Sequence, residues 1–223
     1  MSISKVLVAN RSEIAIRVFR AATELGLKTV AIFSEEDKLA LHRFKADEAY
    51  QIGRRPDGSL MGPIEAYLSI PDVIRIARDA GVDAIHPGYG LLSENPELAE
   101  ACAANGITFI GPTPETMRML GDKVSARNLA ISIGVPVMPA SEPLPDDLAV
   151  ARAEARKIGY PVMLKASWGG GGRGMRVIPD EETLLRDLPA ARREAKAAFG
   201  KDEVYLEKLV ERARHVEGQI LAD

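Results

Sequence analysis

Residues 5–18 read KVLVANRSEIAIRV, an apolar run followed within a few positions by apolar residues at helical spacing. The short continuous run at residues 6–9 is typical of a strand buried in a parallel sheet. Ile14 and Val18 then fall near one face of a helix, with Ser12 as its N-cap and Gly26 just past its end. The stretch predicts a strand followed by a helix, the unit from which α/β folds are built.

The same alternation continues along the first half of the chain. Apolar runs predict further strands at residues 29–33, 84–86 and 107–110, and helical spacing predicts helices at 71–78 and 96–104. Strands that alternate with helices predict a doubly wound parallel sheet. Residues 1–121 are therefore predicted to form a Rossmann-like domain.

No glycine stands at residues 10–13, where a dinucleotide-binding fold carries its glycine-rich turn. The predicted domain therefore has Rossmann-like topology without a bound dinucleotide. The acidic residues 35–37 could mimic a ribose-binding acid, but without the glycines a solvated charged loop is the better prediction. His42 has no companion ligand at metal spacing and is predicted to be a surface residue.

A cluster of prolines between residues 136 and 145 gives the strongest sign of a domain boundary. Before it, helices are predicted at residues 114–120 and 122–133. After it, the pattern predicts a smaller unit with strands at residues 162–165, 175–177, 204–207 and 216–221 and helices at 146–158 and 181–199. The chain is therefore predicted to contain two α/β parts joined by a helical linker at residues 122–136.

Composition excludes several classes of protein. The 223 residues are 46% hydrophobic and 27% charged, with a net charge of −3. No apolar stretch is long enough to span a membrane, and no basic bias indicates nucleic acid. The single cysteine, Cys102, excludes an internal disulfide and a multi-thiolate metal site. Because the first residues do not resemble a secretion signal, we expect a cytoplasmic protein.

The sharpest chemical feature is a run of glycines, since residues 165–175 read KASWGGGGRGM. Glycines suit a loop whose backbone N–H groups approach an anion closely or whose chain must open and close. Lys165 and Arg173 add positive charge to it. A flexible hairpin turn is the alternative, although a plain hairpin needs only two loop residues. The loop therefore predicts phosphate binding outside the P-loop pattern, which would end in Gly-Lys-Ser or Gly-Lys-Thr.

Three further segments are weaker candidates. Lys123 opens a helix, where the helix dipole favours anions, so its charge suggests a ligand phosphate nearby, although a solvated lysine is the alternative. Residues 204–210 form an apolar strand on which an adenine ring could lie, unless it is an ordinary sheet strand. Residues 86–90 read HPGYG at the carboxyl end of a predicted strand, where binding crevices form, although they could equally make a rigid turn.

Taken together, these segments resemble the biotin carboxylases of the ATP-grasp superfamily. The resemblance rests on residues 8–15, 86–90, 109–112, 121–123, 165–175 and 214–217, which occur in the family's order. It is closest to the bacterial pyruvate carboxylases around residues 37–43 and 199–200. Two positions depart from the usual family pattern, Ser12 where glycine is usual and Gly218 where a β-branched or other small residue is usual.

The resemblance implies a fold, an activity and its cofactors. Residues 137–209 would form the ATP-grasp lid, and residues 210–223 the start of an incomplete ATP-grasp C-terminal domain. ATP would phosphorylate bicarbonate, and biotin on a separate carrier domain would then be carboxylated, with Mg2+ as the metal. The catalytic base and the magnesium ligands would lie beyond Asp223, and the chain alone would be inactive.

The family's ATP contacts transfer to this sequence residue by residue. Lys123 and Lys165 are similar to the two phosphate-contacting lysines, and Gly171 and Gly172 to glycines that cover the phosphates. The remaining matches are the adenine-contacting residues and a further ATP contact, namely Glu207, Lys208, Val210 and His215. The family also implies a homo-oligomer, with Arg17, Arg20 and Glu24 of the first helix at a two-fold interface.

Several alternatives remain open from the sequence. The chain could belong to an acetyl-CoA or propionyl-CoA carboxylase, because the carboxyl acceptor is determined outside these residues. It could be a truncated, non-catalytic nucleotide-binding fragment. Another ATP-grasp ligase, such as a carbamoyl-phosphate synthetase or a glycinamide ribonucleotide synthetase, fits residues 86–90 and 165–175 less well.

Overall fold

The computed structural model describes residues 3–168, 175–214, 216 and 218. The chain divides into two compact units, Met1–Met119 and Leu120–Asp223. The predicted subdivision at residues 121, 136 and 209 is a finer one and stays a prediction. Each unit contains its own sheet and its own hydrophobic core.

The first unit is built on a five-stranded parallel sheet in the order β3-β2-β1-β4-β5. Its strands are β1 (Lys5–Val8), β2 (Lys28–Phe33), β3 (Glu48–Gln51), β4 (Ala84–His86) and β5 (Thr108–Phe109). Its helices are α1 (Ser12–Glu24), α2 (Pro63–Tyr67), α3 (Ile70–Asp79), α4 (Pro96–Ala104) and α5 (Pro114–Gly121), of which α5 ends in the second unit. β1 and β2 are nearly all apolar because both faces of a doubly wound sheet are covered.

The second unit contains an antiparallel sheet in the order β7-β6-β8. Its elements are α6 (Lys123–Ser132), α7 (Leu148–Ile158), β6 (Val162–Ala166), β7 (Arg176–Ile178), α8 (Glu181–Phe199) and β8 (Val204–Lys208). Alternate residues of β6 and β8, among them Leu164 and Leu206, pack into one core with apolar residues of α7 and α8. The other residues of these strands point to the opposite face.

Most predicted elements are present with small changes at their ends. Three elements of the first unit were not predicted, the short 3-10 helix Leu41–Phe44, the edge strand β3 and the five-residue helix α2. β3 reads EAYQ and all four of its residues are half-buried, so it lacks the apolar run by which the other parallel strands are recognised. The strand predicted at residues 216–221 falls largely outside the described residues.

Three predictions about polar residues of the first unit are wrong. Ser12 is not the N-cap of α1 but its first residue, and Arg11 precedes it without a side-chain capping bond. His42 is fully buried, with Nε2 3.1 Å from the carbonyl oxygen of Ile32. Asp37 is also buried rather than solvated. His42 and Asp37 form hydrogen bonds with groups ten or more residues away in the sequence. Local sequence patterns do not predict such contacts.

Candidate functional site

Lys165 and Glu207 lie on the face of the second sheet opposite the α7 and α8 core. Met163 pairs with Glu207 and Lys165 with Tyr205 across the antiparallel strands, so the two charged residues are diagonal neighbours. The Lys165 ammonium donates a hydrogen bond to the Glu207 carboxylate, and each side chain is 23% exposed. The pair is thus a partly solvated ion pair that a charged ligand can reach.

Tyr205 stands directly across from Lys165 on the same face and is almost fully buried. Burial, and secondly the charge of Glu207, raise the pKa of Tyr205 to about 12. The phenol is therefore neutral at physiological pH. It places an uncharged aromatic ring beside the ion pair.

Lys208 faces the other way, because it pairs with the inward-pointing Val162. Its ammonium donates hydrogen bonds to the carbonyl oxygens of Gly159, at 2.6 Å, and Tyr160, at 3.3 Å. These carbonyls follow the C-terminal end of α7, where a positive charge is favourable. The Lys208 backbone N–H donates to the carbonyl oxygen of Pro139 at 2.8 Å, and Val210, two residues on, is exposed.

Lys123 is the first residue of α6, as the sequence predicts. Asp122 caps the helix, and its carboxylate accepts hydrogen bonds from the backbone N–H and the hydroxyl of Ser125 at 2.8 and 2.7 Å. The Lys123 side chain is exposed. The other predicted ligand contacts, Gly171, Gly172 and His215, lie outside the described residues.

In the first unit, residues 86–90 form a rigid turn after β4. The Asn10 amide donates to the carbonyl oxygens of Pro87 and Tyr89, both at 2.8 Å, and a Cβ on Gly88 would lie 2.6 Å from the Asn10 nitrogen. Gly88 has φ +67°, a left-handed conformation. The His86 Nδ1 accepts from the Gly88 N–H at 2.9 Å, and burial lowers the pKa of His86.

The residues that the structure describes include no cluster of three His, Cys, Asp or Glu side chains able to hold a metal ion. The carboxylate nearest to the candidate phosphate-binding lysine is that of Glu207, and the ammonium of Lys165 already neutralises it. The donor set of these residues therefore does not fit a resident Mg2+ site. In the described part of the chain, no helix is both long and apolar enough to cross a membrane.

Sequence reasoning found the strand residues but missed how they pair. It assigned Lys165 to phosphate and Glu207 to adenine without placing the two charges together. The period of two along β6 and β8 puts each residue on a face, but the cross-strand register that makes them neighbours depends on the whole sheet.

Comparison with known proteins places the chain in a family. Residues 2–117 match the model of the biotin carboxylase N-terminal domain, and residues 122–223 match that of the carbamoyl-phosphate synthase L chain ATP-binding domain. The chain belongs to the biotin carboxylase family. It is 52% identical to mitochondrial pyruvate carboxylase of Mus musculus over 99% of its own length and 18% of that protein.

Two solved structures confirm the fold class. Rhizobium etli pyruvate carboxylase, solved as a variant with acetyl coenzyme A, aligns with a TM-score of 0.87 and 69% identity over 95% of this chain and 18% of that one. The biotin carboxylase domain dimer of Hydrogenobacter thermophilus 2-oxoglutarate carboxylase, solved with ADP, magnesium and bicarbonate, aligns with a TM-score of 0.88 and 45% identity. That match covers 95% of this chain and 45% of the other. The chain therefore spans less than half of each relative.

Proposed function

We propose that this chain supplies the nucleotide-binding part of a biotin carboxylase, within a pyruvate carboxylase. The reaction joins bicarbonate to the γ-phosphoryl group of ATP, giving carboxyphosphate and ADP. Carboxyphosphate then releases phosphate and CO2, and the N1 of biotin takes up the CO2 and loses its proton. ATP, Mg2+ and biotin on a carrier domain are the cofactors, as in the family to which the chain belongs.

The observation that carries this proposal is the placement of Lys165 beside Tyr205 and Glu207 on the face of the β6–β8 sheet opposite the α7 and α8 core, where the two charged side chains are partly exposed. A fixed ammonium stabilises negative charge on a polyphosphate, and an uncharged aromatic ring beside it excludes water. Lys165 and Lys123 would contact the phosphates. Glycine backbone N–H groups at Gly171 and Gly172 would complete the cradle.

The adenine ring is assigned to the other end of β8. Glu207, Lys208 and Val210 are the proposed contacts, with His215 as a further ATP contact. Because the Lys208 ammonium already binds two carbonyl oxygens near the end of α7 and its backbone N–H donates to Pro139, the proposed contact of Lys208 to the ring falls to its backbone carbonyl oxygen. The Lys208 ammonium is therefore not assigned to the phosphates. Among the described residues of β6 and β8, the ammonium assigned to the phosphates is that of Lys165.

The proposal is tested by bicarbonate-dependent ADP formation in the full-length protein with free biotin. Lys165→Gln should lower kcat/KM for ATP by about tenfold or more, because a charge-assisted phosphate contact contributes roughly 1.5–3 kcal/mol. Lys157→Gln, the same change at an exposed lysine of α7, is the matched control. ADP formation at the same rate with and without bicarbonate would contradict the proposal. A kcat/KM for ATP in Lys165→Gln equal to that of Lys157→Gln would contradict it as well.

The acceptor and the assembly are tested separately. Pyruvate should yield oxaloacetate, whereas malonyl-CoA from acetyl-CoA would assign the chain to an acyl-CoA carboxylase.

We further propose a cytoplasmic homo-oligomer that contacts its partner copy through Arg17, Arg20 and Glu24 of α1. Charges of both signs suit such a self-complementary contact. Arg20→Glu should increase the monomer fraction in sedimentation. An unchanged ratio of monomer to oligomer would contradict the proposed interface.

A further inference from the structure

Residues 139–145, here called the proline segment, run antiparallel to β8 along the edge that β6 does not occupy. Lys208 donates its backbone N–H to the carbonyl oxygen of Pro139 at 2.8 Å. Ser141 donates its N–H to the carbonyl oxygen of Leu206, also at 2.8 Å, and its hydroxyl accepts from the Leu206 N–H at 3.0 Å. The two pairs are two residues apart on both chains, which defines the register of the proline segment against β8.

The Lys208–Pro139 pair differs from an ordinary antiparallel pair. Facing residues of this kind normally exchange two hydrogen bonds, because the N–H and the carbonyl of each residue point to the same edge. Proline has no backbone N–H, so Pro139 accepts from Lys208 and cannot donate in return. The Lys208 carbonyl oxygen therefore lies on this edge without a partner from the proline segment.

Two arginines from neighbouring helices hold the proline segment in place. Arg127 of α6 donates from its guanidinium to the carbonyl oxygen of Ala140 at 3.0 Å, and Arg192 of α8 donates to that of Pro145 at 2.7 Å. Both side chains are largely buried, at 18% and 17% exposure. The segment is thus attached at both ends, which keeps residue 139 opposite Lys208.

We propose that Pro139 is a specificity-determining residue, which keeps the Lys208 carbonyl oxygen available for the exocyclic amino group of adenine. This inference rests on the proposed function, in which Lys208 contacts the ring through that oxygen, and deepens it. An amino group donates to a carbonyl oxygen, whereas a 6-oxo group can only accept and faces that oxygen with its own lone pairs. A site built to accept this hydrogen bond rejects the analogue that lacks the donor. Pro139 thus selects 6-aminopurine nucleotides without contacting them.

The test compares ADP with IDP by titration calorimetry in the full-length protein. The two nucleotides share their phosphates, and IDP has a 6-oxo group and a proton on N1 where ADP has the amino group. The ratio of their affinities therefore reports on the ring alone. Pro139→Ala supplies an N–H that competes for the Lys208 carbonyl oxygen and should lower the preference for ADP by about threefold to tenfold, the scale of one neutral hydrogen bond. Pro139→Val supplies the same N–H with a larger side chain and should behave alike.

Pro143→Ala, at an exposed proline of the same segment, is the matched control. It loses the same restriction of the backbone and should keep the wild-type ratio within about twofold. An equal fall in Pro143→Ala would overturn the inference in favour of a general loosening of the segment. An unchanged ratio in Pro139→Ala and Pro139→Val would overturn it while leaving the proposed function intact. A wild-type protein that binds ADP and IDP equally would also overturn it, and one that binds neither would overturn the proposed function as well.

Discussion

The two units use their buried and half-buried charges differently. At the carboxyl ends of β1 and β2 in the first unit, Asp37 accepts two hydrogen bonds from the Arg11 guanidinium and one, at 2.8 Å, from the Tyr67 hydroxyl. On the second sheet, Lys165 and Glu207 pair with each other at partial exposure. In the first unit the Asp37 carboxylate, which follows β2, joins a side chain that follows β1 to one of α2, and so holds the fold together. The Lys165–Glu207 pair, in contrast, is accessible to a ligand. Polar residues at strand ends are therefore not by themselves a binding site.

The largest effect should come from breaking the first network. Asp37→Ala leaves the buried Tyr67 hydroxyl without its acceptor and the half-exposed Arg11 guanidinium without its partner, and should cost about 2 kcal/mol of local stability. Hydrogen exchange of the β1 and β2 amides measures this loss directly. Glu36→Ala, at the exposed neighbouring residue, is the control and should change exchange by less than about 0.5 kcal/mol. Equal exchange in the two variants would show that the network contributes nothing.

The second-largest effect should come from lowering the pH, which should reduce the stability of the first unit. Burial lowers the pKa of His42 and of His86 below the ordinary 6.5. Below pH 6.5 the unfolded chain binds protons at these positions before the folded chain does, so stability falls as pH falls from 6.5 to the folded pKa. Each histidine contributes at most about 1.4 kcal/mol per pH unit in that window. Of the groups near His42, Asp37 favours its charged form, while Arg11 disfavours it.

The measurement is hydrogen exchange of β2 amides at pH values on either side of 6.5, corrected for intrinsic exchange rates. His42→Gln keeps a donor for the Ile32 carbonyl but does not titrate, so its stability should depend less on pH. A second, acid-side loss should follow at lower pH, because hydrogen bonds from Arg11 hold the pKa of Asp37 below 3.8. That contribution is present above the unfolded pKa and disappears as pH falls through the folded one. A pH profile of His42→Gln identical to wild type would refute the assignment to His42.

A smaller effect is expected from breaking the Lys165–Glu207 pair of the second unit. This change should alter the affinity for ATP rather than the stability of the fold. Glu207→Gln removes the carboxylate that neutralises Lys165, so ATP should bind about threefold to tenfold more tightly relative to adenosine, whose affinity reports the change at the proposed Glu207 contact to the ring. Stability should change by less than about 1 kcal/mol because the pair is partly solvated. Titration calorimetry at two salt concentrations measures the gain, which should shrink as salt increases. Glu211→Gln, at an exposed glutamate after β8, is the control, and a lower affinity for ATP relative to adenosine in Glu207→Gln would contradict the prediction.

The comparison also shows what the sequence could predict. The parallel sheet was predictable because strands such as 29–33 are continuous apolar runs, and α8 because its apolar residues repeat at helical spacing before Gly200. β3 was not, because an edge strand with half-buried polar residues lacks both patterns. The site lysines could be proposed from their places beside glycines and a helix start. Their partners, like those of Asp37, are set by register and tertiary packing.

The smallest effect should come from the entry to α1. Ser12 has φ +53°, in the left-handed region where a side chain costs about 1 kcal/mol and glycine does not. Ser12→Gly relieves that cost but gives the unfolded chain more freedom, so the expected net gain is only about 0.5 kcal/mol. Ser12→Ala retains the Cβ and should show no gain, which separates backbone strain from loss of the hydroxyl. Hydrogen exchange in the first turns of α1 is the measurement. A gain in both variants would mean that the hydroxyl, and not the left-handed backbone, is the source of the strain.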